Sequence, residues 1–128
     1  MILGIDPGRK KCGLAVVNWD EEVLWQGVVL FSEIKAKIFT IEEKYDINKV
    51  VVGDGTASEK IQKMLREFKL NFKLINEANS TLEAKRLYWA ENPPQGLRRL
   101  VPTNLQSPPQ AVDDYAALVL AKKYLKKL

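Results

Sequence analysis

The order in which apolar runs and helical stretches follow one another constrains the fold of this chain most strongly. Three apolar, β-prone runs come first, at residues 2–6, 13–19 and 23–30, with short polar segments between them. These closely spaced runs predict a three-stranded antiparallel meander. Two further apolar runs follow, "NKVVVGDG" and "FKLINE", and a helical stretch precedes each of them. Strands that are joined through a helix lie parallel, with right-handed connections.

Helices are indicated by periodic apolar residues and by capping residues at their starts. Ser32 is predicted to cap the first helix, in which Ile34, Ile38 and Ile41 recur at helical spacing. The predicted element order is β, β, β, α, β, α, β, α, α. If the fourth strand pairs with the first, the sheet order is 3-2-1-4-5. We therefore predict an α/β fold in which helices flank a five-stranded mixed sheet, with residues 1–128 forming a single domain.

The composition excludes several kinds of chemistry. The chain contains no histidine and one cysteine, Cys12, which excludes imidazole ligands, an imidazole base and an internal disulfide bond. The formal net charge of +4 is compatible with a polyanionic partner. No apolar run approaches the roughly 18 residues of a membrane span, and the N-terminus does not resemble a secretory signal. We therefore expect a cytoplasmic protein without a membrane partner.

Acidic residues from distant parts of the sequence are predicted to meet at one edge of the sheet. Asp6 closes the first strand, Asp54 follows the fourth strand and Glu77 closes the fifth. The C-terminal ends of parallel strands share an edge, and ligands of open α/β sheets bind there. Asp113 and Asp114, in the first turn of the last helix, can pack against the same edge, although acids at a helix start also complement its dipole. Asp before Gly is equally typical of a turn, so Asp54 is either a ligand or a turn residue.

The residue types at this edge favour a hard divalent cation. Carboxylates without histidine or cysteine suit Mg²⁺ or Mn²⁺, which bind through oxygen. Two such ions can stabilise both the attacking and the leaving oxygen of an in-line phosphoryl displacement. The expected reaction is phosphodiester hydrolysis, with an activated water as the nucleophile.

Basic residues near this edge are candidate contacts to nucleic acid. Arg9, Lys10 and Lys11 follow Asp6 closely, where an arginine fork and mobile lysine charges can hold a phosphate backbone. A second pair of cations, Arg98 and Arg99, lies in a proline-rich stretch and can also contact the backbone.

Four segments of the chain resemble the motif regions of a known family. They are "ILGIDPGRKKCGLAVV", "VVVGDGT", "INEANSTLEAKRLY" and "VDDYAALVLAKKYL", and they resemble those of the YqgF/RuvC-type nucleases of the ribonuclease H-like superfamily. The similarity spans nearly the whole chain and is strongest to the YqgF type, described as pre-16S rRNA nucleases and as Holliday junction resolvases. It implies a ribonuclease H-like fold and metal-bound carboxylates at Asp6, Glu77 and Asp113.

The sequence departs from the family pattern at two places. The family usually flanks the glutamate of the fifth strand with Asp and Arg, whereas Asn76 and Ala78 flank Glu77 here. YqgF-type chains usually carry no acid at the place of Asp54, which instead resembles the carboxylate that RuvC-type resolvases have near the end of strand 4.

The resemblance implies a two-metal nuclease that processes precursor 16S rRNA. Holliday junction resolution on branched DNA is the alternative, and a monomer or a homodimer fits these substrates. Two hypotheses without nuclease activity also remain open. The chain is then either a non-catalytic nucleic-acid-binding module or a nucleotide-binding module. The latter arises because "DPGRKKCG" also resembles the first phosphate loop of actin-like ATPases and sugar kinases, which enclose a nucleotide between two such domains.

Overall fold

The sheet has the strand order that the sequence predicts, β3-β2-β1-β4-β5. The computed structural model describes residues 1–55, 57–76, 80–93 and 113–127. The elements are, in chain order, β1 (Ile2–Asp6), β2 (Lys11–Val17), β3 (Val23–Leu30), α1 (Ile34–Lys44), β4 (Lys49–Gly53), α2 (Ser58–Glu67), β5 (Phe72–Ile75), α3 (Ser80–Glu91) and α4 (Asp113–Lys126).

The strand pairing brings three strand ends to one edge of the sheet. β1 is antiparallel to β2 and parallel to β4, and β4 is parallel to β5. In this register Ile5 pairs with Val52, and Gly53 pairs with Ile75. We call the edge formed by the C-terminal ends of β1, β4 and β5 the carboxyl edge.

The hydrophobic core has two layers, one on each face of the sheet. One face packs on α1 and α2, and its fully buried side chains include Leu3, Ile5, Leu14, Val52, Ile38 and Leu65. The other face packs on α4, and its fully buried side chains include Ile2, Ala15, Val51, Ala117 and Leu120. We call the second the α4 face. Because β1 contributes to both layers, its sequence is a continuous apolar run up to the last residue.

α3 packs on α4 rather than on the sheet. Ala84 and Tyr88 of α3 are buried against Tyr115 and Ala116 of α4. None of the helices in the four described ranges is long and apolar enough to cross a membrane.

Two element starts differ from the sequence-based prediction. The predicted serine cap is wrong, because Ser32 lies in a 3₁₀ turn, Phe31–Glu33, and α1 begins only at Ile34. The Phe31 N–H donates to the carbonyl of Lys10 at 2.8 Å, which ties the end of β3 to the β1–β2 turn before the helix begins. β2 starts at Lys11, two residues earlier than predicted, because β3 extends to Leu30 and pairs with it there.

Candidate functional site

Asp6 lies at the carboxyl edge and belongs to the α4 face. It is the last residue of β1 and pairs with Gly13 of β2. Side chains alternate along a strand, so Asp6 shares a face with Gly4 and Ile2, and Ile2 is buried among α4 residues. Unlike the four residues before it, Asp6 is partly exposed. The strand thus ends in a carboxylate on the face that α4 covers.

The start of α4 lies over the same part of the sheet. A Cβ built on Gly4 would collide with the carbonyl oxygen of Ala117 and would lie 3.2 Å from the Cβ of Ala121. The absence of a side chain at Gly4 therefore lets the helix backbone approach β1 closely. Asp113 is the first residue of α4, one helical turn before Ala117. The structure brings the first turn of α4 and Asp6 to one face of the sheet.

Asp114 is held by hydrogen bonds to both of its carboxylate oxygens. Nε2 of Gln26 in β3 donates to Oδ2 at 3.0 Å, and the N–H of Tyr115 donates to Oδ1 at 3.0 Å. Gln26 pairs with Ala15, which pairs with Gly4, so the three residues form a row across the α4 face. This geometry gives Asp114 a role in fixing the start of α4 on the sheet.

Asp54 also lies at the carboxyl edge, but it belongs to the opposite face of the sheet from Asp6. Val51 is buried among α4 residues and Val52 faces α1 and α2, so the alternation continued to Asp54 assigns it to the α1–α2 side. Its N–H donates to the carbonyl of Ile75 at 3.0 Å, which extends the β4–β5 ladder by one residue. The Asp54 side chain is exposed.

The three cations after Asp6 are divided between a turn and a strand. Arg9 and Lys10 are exposed in the β1–β2 turn, where a Cβ on Gly8 would collide with the carbonyl oxygen of Lys11. Lys11 opens β2 and is exposed. It lies two residues before Gly13, the partner of Asp6, and therefore on the α4 face.

A further cation, Lys60 of α2, lies near the β1–β2 turn. A cavity of about 290 Å³ is lined by Gly8 and Arg9 on one side and by Ala57, Glu59 and Lys60 on the other. The structure thereby adds Lys60 to the basic residues near the carboxyl edge.

Several of the predicted site residues lie outside the described part of the chain. Glu77 follows Asn76, the last described residue of that segment, and is two positions after Ile75, which is buried on the α4 face. Arg98 and Arg99 also lie outside the described residues, as does the side chain of Asp113.

A hydrogen bond joins the first turn of α4 to the last residue of α3. The Tyr115 hydroxyl donates to Oε2 of Glu91 at 2.6 Å, and the ring packs edge-on against Tyr88 with centroids 5.9 Å apart. Burial, and then the hydrogen bond to the Glu91 carboxylate, raise the pKa of Tyr115 to about 12. The proton therefore stays on the hydroxyl, and the contact persists across the neutral range.

The donor set at the carboxyl edge fits a hard cation better than a soft one. Cys12 is fully buried in the layer against α1 and α2, so the only thiol of the chain faces away from Asp6. Within the described ranges no group of three or more acidic or sulfur ligands is arranged to hold a metal ion. Two members of the predicted set, Glu77 and the side chain of Asp113, lie outside those ranges. Carboxylate oxygens remain the available ligands, as Mg²⁺ and Mn²⁺ require.

Two residues that fix the start of α4, Gln26 and Glu91, are not among the predicted site residues. Gln26 is the one polar side chain of "VLWQGVVL", and its position in a half-buried strand was a usable signal for a buried polar contact. Glu91 has no such signal, because its partner Tyr115 is 24 residues away in the sequence.

The comparisons with known proteins agree with this architecture. The family model described as the Tex protein YqgF-like domain matches residues 1–87. No sequence among the curated proteins matches the chain.

Two solved structures from Thermus thermophilus are similar over nearly the whole chain. The RuvC structure has a TM-score of 0.56 at 16% sequence identity and covers 94% of this chain and 90% of its own. The structure of RuvC in complex with a Holliday junction substrate has a TM-score of 0.53 at 15% identity, covering 94% and 89% respectively. With the sheet order 3-2-1-4-5, this similarity identifies the fold as ribonuclease H-like, as predicted.

Proposed function

The chain belongs to the family of the Tex protein YqgF-like domain, and from this premise we propose that it is a metal-dependent nuclease that hydrolyses phosphodiester bonds in nucleic acid. The observation that carries the proposal is the position of Asp6. It is a partly exposed carboxylate that ends a strand buried on both faces, at the edge where open α/β sheets bind ligands. It also shares the α4 face with the helix whose first turn contains two more acids.

We assign the catalytic carboxylates to Asp6, Glu77 and Asp113, as metal ligands for Mg²⁺ or Mn²⁺. The position of α4 over Gly4 supports the pairing of Asp6 with the start of that helix. Asp54 and Asp114 remain further candidates. The hydrogen bonds that occupy both oxygens of Asp114 favour a positioning role for it.

Two divalent cations bound by these carboxylates would supply positive charge to the attacking and leaving oxygens of an in-line displacement. The chain's own cations bind and orient the nucleic acid. Arg9 and Lys60 flank the cavity beside the turn, where they can grip a backbone phosphate, and Lys11 lies on the same face as Asp6. Lys10 is exposed in the same turn, and Arg98 and Arg99 complete the proposed set of backbone contacts.

We propose structured RNA as the substrate, and processing of precursor 16S rRNA as the reaction, because the matching family model is YqgF-like. Resolution of Holliday junctions is the second candidate, favoured by the shared fold of the Thermus RuvC structure that holds a junction substrate. We further propose that residues 1–128 form one nuclease domain that acts in the cytoplasm as a monomer or a homodimer.

A cleavage panel tests the proposal. The wild-type protein, Asp6→Asn and the control Asp46→Asn are incubated with Mn²⁺ and a precursor rRNA fragment, a single-stranded RNA or a four-way DNA junction. Asp46 is an exposed acid of the α1–β4 connection, so its variant makes the same charge change away from the carboxyl edge. We expect Asp6→Asn to lower cleavage by a factor on the order of 100 or more, since a metal supplies several kcal/mol of transition-state stabilisation.

The panel also separates the alternatives. Undiminished cleavage by Asp6→Asn, or by wild-type protein stripped with EDTA, would refute the assignment. Preferential cleavage of the junction would favour a resolvase over an rRNA nuclease. Tight binding without turnover on any substrate would identify a nucleic-acid-binding module.

A further inference from the structure

The groove between α3 and α4 collects positive charge from two helices. It has a volume of about 260 Å³, and its charged lining residues are Glu83, Arg86, Lys122, Lys123 and Lys126. Four cations and one acid give the lining a formal charge of +3. None of these cations belongs to the basic residues that were assigned to the carboxyl edge.

A favourable interaction with the helix dipole does not account for this arrangement. Lysines in the last turn of α4 complement the negative end of its dipole, but Arg86 lies in the middle of α3, where that effect is absent. Within the part of the chain that the structure describes, Arg86, Lys122 and Lys126 have no ion-pair partner. Glu83 is the one acid that lines the groove with the four cations, and the excess positive charge repels itself until a bound polyanion neutralises it.

The basic groove is connected to the carboxyl edge through Lys123. Its Nζ donates to the carbonyl oxygen of Asn76 at 3.3 Å. Asn76 directly follows β5 and directly precedes Glu77, one of the proposed metal ligands. Lys123 therefore lines the groove and also contacts the residue that precedes Glu77.

We propose that the α3–α4 groove binds the sugar-phosphate backbone of the single strand that flanks the cleaved bond. The inference rests on the proposed nuclease function and adds a second contact region to it. The groove's volume of about 260 Å³ lies just below the roughly 300–1,000 Å³ of pockets that hold drug-sized ligands. Such a space can hold a short phosphodiester segment of one strand.

The test measures binding without cleavage. Wild type and a variant with Lys122→Gln and Lys126→Gln are titrated in EDTA with fluorescent oligouridine and oligodeoxythymidine of about 12 nucleotides, over a range of salt. The matched control carries Lys44→Gln and Lys63→Gln, which remove the same charge from exposed positions on α1 and α2. Arg86→Gln, at an exposed position, provides an independent variant if the pair of α4 substitutions disturbs folding.

Each phosphate contact to a single strand contributes about 0.7 to the slope of log K against log salt. We therefore expect the groove variant to bind both oligonucleotides at least about tenfold more weakly and to lose about 1.4 from this slope. The control is expected to keep the wild-type slope. A groove variant that keeps that slope, or equal binding of a polyglutamate peptide, would overturn the proposal.

Cleavage assays with Mn²⁺ distinguish failure of this inference from failure of the nuclease assignment. If oligonucleotides bind through the groove but no substrate is cut, only the nuclease assignment fails. If substrates are cut and the groove variant has wild-type binding and KM, only the groove inference fails. When both hold, the variant raises KM for long substrates and leaves kcat unchanged, because the groove does not touch the reacting atoms.

Discussion

Gln26 of β3 donates a 3.0 Å hydrogen bond to Asp114 of α4, a residue 88 positions further along the chain. The bond joins the edge strand of the meander to the first turn of the helix that covers β1. Since Asp113 is in the same turn, the placement of a proposed metal ligand depends on a polar contact made on the same face of the sheet, at the edge strand β3.

Replacing Gln26 with methionine is expected to destabilise the fold and to lower activity together. The substitution keeps the side-chain length but removes the donor from a partly buried carboxylate, which costs about 1–2 kcal/mol. Urea unfolding measures the stability, and Gln26→Glu should be worse still because it places two carboxylates in contact. A methionine variant within about 0.5 kcal/mol of wild type would show that the bond does not hold α4.

The hydrogen bond between Tyr115 and Glu91 predicts a stability change at high pH. The pKa of Tyr115 is about 12 in the folded protein and 10.0 ordinarily. The folded state holds this proton more tightly, so the stabilisation is complete below pH 10 and is lost as the pH rises towards 12. Tyr115→Phe should cost about 1 kcal/mol at neutral pH, and the difference from wild type should shrink above pH 10.

Urea unfolding at several pH values checks this prediction, with Tyr45→Phe as the control. Tyr45 donates a long 3.4 Å hydrogen bond to the carbonyl of Leu24 and does not contact Glu91. A difference between wild type and Tyr115→Phe that stays constant above pH 10 would contradict the assigned pKa.

Gly4→Ala should displace α4 from β1. The new methyl group would collide with the backbone carbonyl of Ala117, which cannot rotate away, and overpacking of this kind costs about 1–3 kcal/mol. Gly27→Ala is the control, because its methyl group would meet the Trp25 side chain at 2.9 Å, and that ring can shift. We expect thermal unfolding to show a clear loss for Gly4→Ala and a smaller one for Gly27→Ala. Equal losses would argue against close contact between α4 and β1.

Mn²⁺ is expected to raise the melting temperature of wild-type protein but not of Asp6→Asn. A ligand that binds only the folded state stabilises it by about 2.7 kcal/mol when its concentration is 100 times Kd. Asp54→Asn should retain the Mn²⁺ effect if Asp54 is a turn residue, as its position on the α1–α2 side favours. Loss of the effect in Asp54→Asn would instead identify Asp54 as a ligand, and Asp46→Asn controls for the change in charge.

The fold could be predicted from the sequence because its signals are local. Apolar runs of strand length, helical spacing and the rule for crossover connections lead to the order 3-2-1-4-5 once the fourth strand is taken to pair with the first, and the structure confirms that pairing. Asp6 could be placed at the end of β1 for the same reason. The boundaries were less predictable, since the start of β2 at Lys11 depends on how far β3 extends as its partner.

The sequence by itself determined that acids follow parallel strands and that the last predicted helix carries two acids in its first turn. Only the tertiary structure decided which of them belong together. Asp6 shares a face of the sheet with the start of α4, and Asp114 is hydrogen-bonded to Gln26, whereas Asp54 belongs to the other face. Likewise, only packing of α3 on α4 brought Arg86 beside Lys122 and Lys126. The reason is physical, because periodicity is encoded within a few neighbouring residues, whereas contacts across the sheet depend on register and helix placement.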